Sequence, residues 1–248
     1  MGDPLYDRLG RGYSSARIGD PRIAAQIEAA LGNATRVVNV GAGAGSYEPA
    51  SCDVVAVEPS PTMIRQRPTG AAPVVRATAE ALPIESDSFD AAMSVLSMHH
   101  WTNVADGLGE LRRVADRQVL LFFEPLEWVR YWLVDYFPQI PELPTERRAP
   151  GAKEIADVLG LIDVQPVMVP RDCTDGFAAA YWARPEAYLD PSVRAGISAL
   201  ALLGEDAIDA GVRRLRADLE SGAWEDRYGH LRELDELDGG YRLAIAQR

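Results

Sequence analysis

Short apolar runs alternate with helical patterns over the first two thirds of the chain. The runs are rich in β-branched residues and bounded by glycine, proline or polar residues, which predicts buried strands over residues 36–40, 53–57, 73–77, 89–96 and 118–123. Apolar positions at helical spacing predict helices over residues 21–31, 61–66, 104–114 and 152–159. Such alternation is typical of an α/β, doubly wound, mostly parallel sheet with helices on both faces.

Two further strands are predicted over residues 162–169 and 241–246, and the turn signal Gly239-Gly240 precedes the second. They complete a seven-stranded sheet. We therefore expect residues 1–248 to form one domain. Within it, residues 1–35 would supply N-terminal helices and a lid, and residues 36–125 would form the cofactor-binding core.

Two segments do not fit this alternation. Residues 126–150 are rich in aromatic residues and prolines, and residues 177–219, within a second segment 171–238, have a helical pattern that begins with an aromatic cluster. Ligands of open α/β sheets bind at the carboxyl ends of the strands, so we expect both segments to fold over that edge as a substrate cap. The alternative is that their aromatic side chains form the core of an added helical layer.

Composition and charge narrow the partners. The net charge of −12 and the absence of a basic stripe argue against nucleic acid, because a phosphate backbone would be repelled. No apolar run is long enough for a membrane span, and the first residues lack the features of a signal peptide. Cys52 and Cys173 are far apart and in no metal-binding spacing, which indicates free thiols. We expect a cytoplasmic monomer or homodimer without a metal site.

The first strand runs into a glycine-rich turn, Gly41-Ala42-Gly43-Ala44-Gly45. Glycine accepts positive φ and has no Cβ, so the backbone can turn sharply and approach a ligand closely. A dinucleotide fingerprint has glycines at positions 1, 3 and 6, whereas here they stand at 1, 3 and 5 and Ser46 is sixth. This spacing disfavours a nicotinamide oxidoreductase and favours a ligand without a diphosphate.

An acidic residue ends the second strand. The carboxylate of Glu58 can accept hydrogen bonds from two ribose hydroxyls, and Pro59 prevents a helix from starting at Glu58. Met63 follows closely and could lie against an adenine face, although a core methionine is almost as good an interpretation. The glycine turn and Glu58 together predict a nucleoside-containing ligand.

The segments that follow identify a family. Thr78-Ala79-Glu80-Ala81-Leu82-Pro83 after the third strand, Asp87-Ser88-Phe89-Asp90 into the fourth, and Ser97-Met98-His99-His100-Trp101 after it resemble the type 11, ubiquinone/menaquinone-biosynthesis-like branch of class I S-adenosylmethionine (SAM)-dependent methyltransferases. The resemblance covers roughly residues 36–125, and the region around Tyr13 and Arg17 is similar to the N-terminal helix of that branch.

The resemblance implies SAM as cofactor, S-adenosylhomocysteine as product, and a role for each matching position. Gly41, Ala42 and Gly43 would pass beside the methionine moiety and ribose, and Glu58 would bind the ribose diol next to Pro59 and Met63. Ala79 and Glu80 would border the adenine, and Ser94 and Val95 would lie beneath the methionine. Tyr13 and Arg17 would close over it, with Arg17 pairing with its carboxylate.

Two positions depart from the family pattern. Asn39 stands where the first strand usually carries an acid, and Thr78 stands where an aspartate usually contacts the adenine. Asn39 can accept a hydrogen bond but lacks the charge that would attract the α-amino group, so another acid could substitute. These departures leave room for a SAM-binding protein that catalyses another reaction, such as a cyclase or decarboxylase, or for a non-catalytic partner subunit.

The expected reaction is methyl transfer to a small, partly apolar or aromatic molecule. In a methyl transfer from a sulfonium the protein mainly aligns the acceptor and excludes water. A base is needed only if the acceptor arrives protonated, and His99 and His100 are the candidates, because histidine titrates near neutrality. The alternative is that the pair forms the wall of the substrate site or is structural.

Overall fold

The computed structural model describes residues 17–248. Its centre is a seven-stranded sheet with the order β3-β2-β1-β4-β5-β9-β6. The strands of this sheet are β1 (Arg36–Val40), β2 (Asp53–Val57), β3 (Val74–Val75), β4 (Phe89–Val95), β5 (Ala115–Phe123), β6 (Ile162–Pro166) and β9 (Tyr241–Gln247). Two short strands, β7 (Val169–Pro170) and β8 (Glu236–Leu237), pair with each other outside it.

The sheet is parallel from β3 to β5, and β9 runs antiparallel between β5 and β6. Val38 of β1 lies between Val55 of β2 and Ala92 of β4, so the register joins the three strands that carry the glycine turn, Glu58 and the histidine pair at their carboxyl ends. This arrangement confirms the predicted doubly wound, mostly parallel seven-stranded fold.

Three helices cover the two faces of the sheet: α1 (Pro21–Leu31), α3 (Val104–Val114) and α7 (Ala152–Leu159). Alternate residues of β1 point to opposite faces, so Val37 packs in the core with α1 and Val38 packs in the core with α3 and α7. The short α2 (Pro61–Arg65) follows β2. Burial on both faces explains why the central strands are almost continuously apolar.

The two segments outside the alternation are built from short helices. They are α4 (Pro125–Trp128), α5 (Leu133–Tyr136), α6 (Pro144–Arg147), α8 (Pro191–Gly196), α9 (Ser198–Ala201), α10 (Glu205–Ser221) and α11 (Ala223–Tyr228), with 3-10 turns at Ile140–Glu142, Pro185–Leu189 and Gly229–Glu233. The predicted helical run over 177–219 is wrong in its first part, since residues 177–184 form turns and only Glu205–Ser221 is long.

Aromatic side chains join these segments into a single layer, which we call the cap. Trp132 lies at its centre, with ring centroids 5.4 Å from those of both Tyr188 and Trp224, and its Nε1 donates to the carbonyl oxygen of Trp182 (3.1 Å). All four side chains are buried. Many of these aromatic residues are therefore core of an added layer, the alternative considered from the sequence. Within residues 17–248, no helix has the length and apolar character needed to cross a membrane.

Candidate active site

The glycine-rich turn leaves β1 with positive φ at Gly41 (73°), Gly43 (52°) and Gly45 (89°). The N–H groups of Gly41 and Ala42 both donate to the carbonyl oxygen of Val57 at the end of β2 (2.9 and 3.1 Å). A Cβ at Gly41 would lie 2.3 Å from the Ser97 hydroxyl. The turn therefore requires glycine for its conformation and for its close approach to the residues after β4.

A cavity of about 450 Å³ lies at the carboxyl ends of β1, β2 and β4, bordered by this turn. Its wall includes most of the residues predicted for the cofactor, namely Arg17, Gly41, Ala42, Gly43, Glu58, Pro59, Met63, Ala79, Glu80 and Val95. Asn39, Thr78 and His100 also line it. We call it the cofactor cavity. Tyr13 lies outside the described residues.

Glu58 is almost fully buried at the edge of the cofactor cavity. Its Oε2 accepts from the Gly43 N–H and its Oε1 from the Ser60 N–H, both at 2.8 Å. Burial raises the pKa of this carboxyl, and the two amide donors and the more distant Arg67 oppose that rise. Each carboxylate oxygen keeps a lone pair, so Glu58 can still accept from two hydroxyl groups.

The loop after β3 is held by Glu80. Its Oε1 accepts from the N–H groups of Thr102 (2.7 Å) and Asn103 (3.2 Å), and Asn103 in turn caps α3 through its side-chain oxygen. The buried Ala79 precedes it on the cavity wall. Glu80 thus ties the predicted adenine side of the cavity to the start of α3, and its charge is satisfied by backbone donors.

Asn39 is 97% buried, and its Oδ1 has no hydrogen-bond partner among the described residues. Its Nδ2 lies 3.4 Å from Oε1 of Glu48. Glu48 is the nearby acid, but it forms a buried ion pair with Arg67 (2.6 Å) and does not line the cavity. An unpartnered buried acceptor facing a cavity is suited to a donor from a ligand.

Ser94 is not among the residues that line the cofactor cavity, and its predicted position beneath the methionine moiety stays a prediction. Its side chain is fully buried and its hydroxyl lies 2.6 Å from that of Ser97, which donates to the carbonyl oxygen of Val40 (3.2 Å). Ser94 therefore supports Ser97 beneath the glycine turn. Val95, the next residue, does line the cavity.

Arg17 lines the cofactor cavity, but its guanidinium is held by Asp175 of the cap. Nε donates to Oδ1 (2.6 Å) and Nη2 to Oδ2 (3.1 Å) of this fully buried carboxylate. Tyr47, which follows the glycine turn, donates to the same Oδ2 (2.9 Å). The predicted pairing of Arg17 with a ligand carboxylate is thus replaced in this structure by an internal ion pair.

A second, smaller cavity of about 40 Å³ lies between the sheet edge and the cap, and we call it the cap cavity. Leu96 and Phe123 at the ends of β4 and β5 form its floor, and cap residues including Trp128 and Phe177 form its roof. Arg17, Leu96 and His100 line both cavities, so the two spaces adjoin.

The histidine pair stands between these cavities, with His99 lining the cap cavity and His100 lining both. Burial, with a smaller contribution from Arg17, lowers the pKa of His99 to about 3. Burial, with smaller contributions from His99 and two arginines, also lowers the pKa of His100 well below its usual value. Both imidazoles are enclosed and burial favours their neutral form, so neither is tuned to accept a proton near neutral pH, and their catalytic role stays a prediction.

Several lining residues had no role from the sequence. Trp101 and Tyr47 border the cofactor cavity, and the Trp101 ring occupies the space above Gly107 of α3, where a Cβ would lie 2.4 Å from its Cε3. The sequence pattern that could have indicated this contact is Gly107, a glycine inside the predicted helix six positions after Trp101. Arg148 of the cap also borders this cavity, and no local pattern pointed to it.

Comparison with known proteins agrees with this geometry. The family model of the methyltransferase domain matches residues 38–123. A crystal structure from Anabaena variabilis, assigned as a methyltransferase from an antibiotic biosynthesis pathway, is 34% identical, with a TM-score of 0.87 over 94% of this chain and 99% of that chain. A comparison with curated protein sequences found no significant match.

Two more distant structures share the fold. A SAM-dependent methyltransferase from Thermotoga maritima is 14% identical, with a TM-score of 0.53 over 98% of this chain and 92% of that chain. A phosphoethanolamine N-methyltransferase from Haemonchus contortus, solved with S-adenosylhomocysteine, is 14% identical with a TM-score of 0.57, over 98% of this chain and 59% of that chain.

The parallel sheet with one antiparallel strand and the glycine-bordered cavity define a class I methyltransferase fold. The chain belongs to the family of class I SAM-dependent methyltransferases. Its cofactor is SAM, and methyl transfer is its activity.

Proposed function

We propose that this methyltransferase modifies a small, partly apolar or aromatic molecule whose reacting group enters the cap cavity. The observation that carries the proposal is the adjacency of the two cavities, which share Arg17, Leu96 and His100. The aromatic lining of the cap cavity favours an apolar acceptor, and its enclosure by the cap disfavours a folded protein or a nucleic acid.

The cofactor cavity fits SAM on the chemistry of its lining. Glu58 offers two carboxylate lone pairs to the ribose diol, and the buried Oδ1 of Asn39 accepts from the α-amino group. Gly41, Ala42 and Gly43 allow close approach, Pro59 and Met63 flank the ribose side, and Ala79 and Glu80 border the adenine. Val95 lies beneath the methionine, and Arg17 completes the wall. Tyr13, outside the described residues, stays a predicted contact of the methionine moiety. The bound cofactor supplies an electrophilic methyl group on a sulfonium.

The proposed role of His99 and His100 is to bind and orient the acceptor as neutral imidazoles. A neutral imidazole has one donor and one acceptor nitrogen, so it can fix the direction of a polar group without adding charge beside the methyl donor. On this proposal, His99→Ala lowers methyl transfer while the affinity for S-adenosylhomocysteine stays close to native, because His99 does not line the cofactor cavity.

The setting of the reaction is part of the same proposal. The net charge of −12 disfavours nucleic acid as acceptor, and the free thiols Cys52 and Cys173 suit the reducing cytoplasm. The protein would act there on a small molecule as a monomer or homodimer.

The test is to follow the methyl group. The purified protein is incubated with methyl-labelled SAM and with separate protein, nucleic-acid and small-molecule fractions of a cell extract. We expect label in an apolar small molecule, and a Glu58→Ala variant serves as the control for cofactor-dependent transfer. Label confined to the protein or nucleic-acid fraction would overturn the proposed acceptor class.

A further inference from the structure

An acidic side chain stands in the wall of the cap cavity. Glu146 lies on α6, which packs against the 3-10 turn Met98–His100, and it is 7% exposed. It shares the cap cavity with His99, Trp128 and Tyr241. Glu146 belongs to the cap, outside the sheet and outside the segments that resemble the family.

Glu146 has no ion-pair partner among the described residues, and the nearby arginines are engaged elsewhere. Arg17 pairs with Asp175, Arg147 pairs with the exposed Glu142, and Arg148 donates to the carbonyl oxygen of Pro144. Burial raises the pKa of the Glu146 carboxyl to about 7, against a smaller opposing effect of the Trp128 indole. A buried carboxyl without a nearby cation is either protonated, and therefore neutral, or is ionised and stabilised by a ligand.

The histidines beside it are poorer proton acceptors. A general base works best when its pKa lies near the working pH, and burial depresses the pKa of both His99 and His100 far below neutrality. Burial raises the pKa of Tyr241, which also lines this wall, so its hydroxyl stays protonated at neutral pH. Among the described groups that line the cap cavity, Glu146 is therefore the one matched to accept a proton at neutral pH.

We propose that Glu146 is the general base of this methyltransferase, and that its acceptors are small molecules whose nucleophile carries a proton, a hydroxyl or an amine. This inference rests on the proposed function. In the transfer the bond from the acceptor heteroatom to the methyl carbon forms as the carbon–sulfur bond breaks. The electron pair of that bond stays on sulfur, and the proton of the acceptor passes to the Glu146 carboxylate. Charge balances, since the sulfonium and the carboxylate are both neutralised.

The position of Glu146 in the cap cavity predicts proton release on SAM binding, which can be measured without knowing the acceptor. A sulfonium beside Glu146 favours its ionised form, so binding of SAM expels a proton that binding of neutral-sulfur S-adenosylhomocysteine does not. If the pKa falls by one unit, about 0.4 proton is released per SAM bound at pH 7. Calorimetry in buffers of different ionisation enthalpy counts these protons.

The number of protons released by the native protein is compared with the number released by Glu146→Gln. Protons that the ligands themselves gain or lose are the same in both proteins, so they cancel in this difference. We expect the extra release with SAM over S-adenosylhomocysteine to disappear in Glu146→Gln and to persist in Glu142→Gln, which removes an exposed acid from the same segment. Glu58 faces the ribose, which is common to both ligands, and the neutral His99 and His100 have no proton to release.

Two probes distinguish the acceptor chemistries. Phenol and benzylamine are titrated into the S-adenosylhomocysteine complex and followed by NMR. Binding of phenol that Glu146→Gln weakens indicates a hydroxyl acceptor, and the same result with benzylamine indicates an amine. If both probes bind the native and Glu146→Gln complexes equally, the result counts against the proposal.

The outcomes separate this inference from the proposed function. Proton release that is equal in native and Glu146→Gln protein, with SAM bound normally, overturns the role of Glu146 and leaves methyl transfer to a small molecule intact. Label transfer confined to macromolecules overturns the proposed function even where the proton count is as expected. Native affinity of Glu146→Gln for S-adenosylhomocysteine shows that the variant is folded.

Discussion

The carboxylate of Glu58 joins the glycine turn to the segment after β2 through two backbone amides, Gly43 N–H and Ser60 N–H. A ribose diol would add two further hydrogen bonds to the same charged group. Hydrogen bonds to a charged acceptor contribute about 1.5–3 kcal/mol each. We therefore expect Glu58→Ala, which removes both, to weaken binding of S-adenosylhomocysteine by about 100-fold or more, measured by calorimetry.

The matched control for Glu58 is Glu28→Ala, an exposed acid on α1. Glu58→Ala also frees two amides, so its unfolding free energy is measured alongside. Native affinity in Glu58→Ala would remove this residue from the cofactor site, whereas equal losses in both variants would indicate a general effect of charge.

Glu146 makes a prediction about stability as well as about chemistry. Its folded-state pKa of about 7 lies above the ordinary value of 4.5, so the unfolded chain loses this proton at lower pH than the folded chain. Ionising the buried carboxyl costs the folded state free energy, and this destabilisation is absent well below pH 4.5, grows as the pH rises and is complete above pH 7. Glu146→Gln removes it, and we expect the variant to gain about 2 kcal/mol over native between pH 5 and pH 8 in urea unfolding.

The control again is Glu142→Gln, whose unfolding free energy should track that of the native protein across this range because its side chain is mostly exposed. If native and Glu146→Gln differ by the same amount at pH 5 and pH 8, Glu146 titrates normally. Both measurements use protein without ligand, so that cofactor binding does not enter the comparison.

At the scale of single elements, a glycine can be required for its positive φ alone or also because a neighbouring side chain leaves no space for a Cβ. Gly41 has φ of 73° and its added Cβ would meet Ser97, whereas Gly160 has φ of 86° and nothing lies within 4 Å of its added Cβ. Gly160→Ala carries the conformational cost alone, about 1 kcal/mol. Gly41→Ala adds the clash, so we expect a larger loss of unfolding free energy and weaker binding of S-adenosylhomocysteine. If Gly41→Ala and Gly160→Ala lose the same unfolding free energy, the Ser97 side chain moves away from the new Cβ without a measurable cost.

Elements whose signals are local were predicted correctly from the sequence. The bounds of α1, α3 and α7 match those predicted, because Asp20 and Asn103 cap their starts with side-chain oxygens and Gly160 ends α7 with positive φ. β1 and β2 also match, since a run of buried apolar residues in a parallel sheet begins and ends at polar or glycine positions.

Elements whose signals are distant were predicted less well. The single strand expected over residues 162–169 is divided in two, because Pro166 has no N–H for the ladder and Val169 pairs with Leu237, far along the chain. The strand expected over residues 73–77 is reduced to Val74–Val75 at the sheet edge. Local periodicity carries no information about such partners.

The same limit applies to the site when the whole molecule is considered. The glycine turn, Glu58 and Glu80 lie in one short stretch whose spacing is informative, and all three line the predicted cavity. Glu146 lines the cap cavity, and Asp175 pairs with Arg17 at the wall of both cavities, only because the cap folds back on the sheet. Contacts between residues more than a hundred positions apart depend on the packing of that layer, which the sequence pattern alone does not specify.

Asp175 connects three parts of the molecule that are distant in sequence. It accepts hydrogen bonds from Arg17 at the start of the described chain and from Tyr47 after the glycine turn, and it lies in the cap. Since Asp175 is fully buried and Arg17 nearly so, Asp175→Asn removes the carboxylate with which this buried guanidinium pairs. Such a loss costs about 3–5 kcal/mol. We expect Asp175→Asn to lower the unfolding free energy by this order and to weaken binding of S-adenosylhomocysteine, because Arg17 borders the cofactor cavity.

Asp172→Asn is the matched control, since Asp172 is also an aspartate paired with an arginine of the N-terminal region, but its side chain is 74% exposed. Solvent screens that pair, so we expect little change in either measurement. If Asp175→Asn destabilises the fold and leaves the affinity native, then the ion pair holds the cap without shaping the cofactor site. If both quantities fall together while Asp172→Asn stays native, the closure of the cap and the binding of the cofactor are coupled through this one carboxylate.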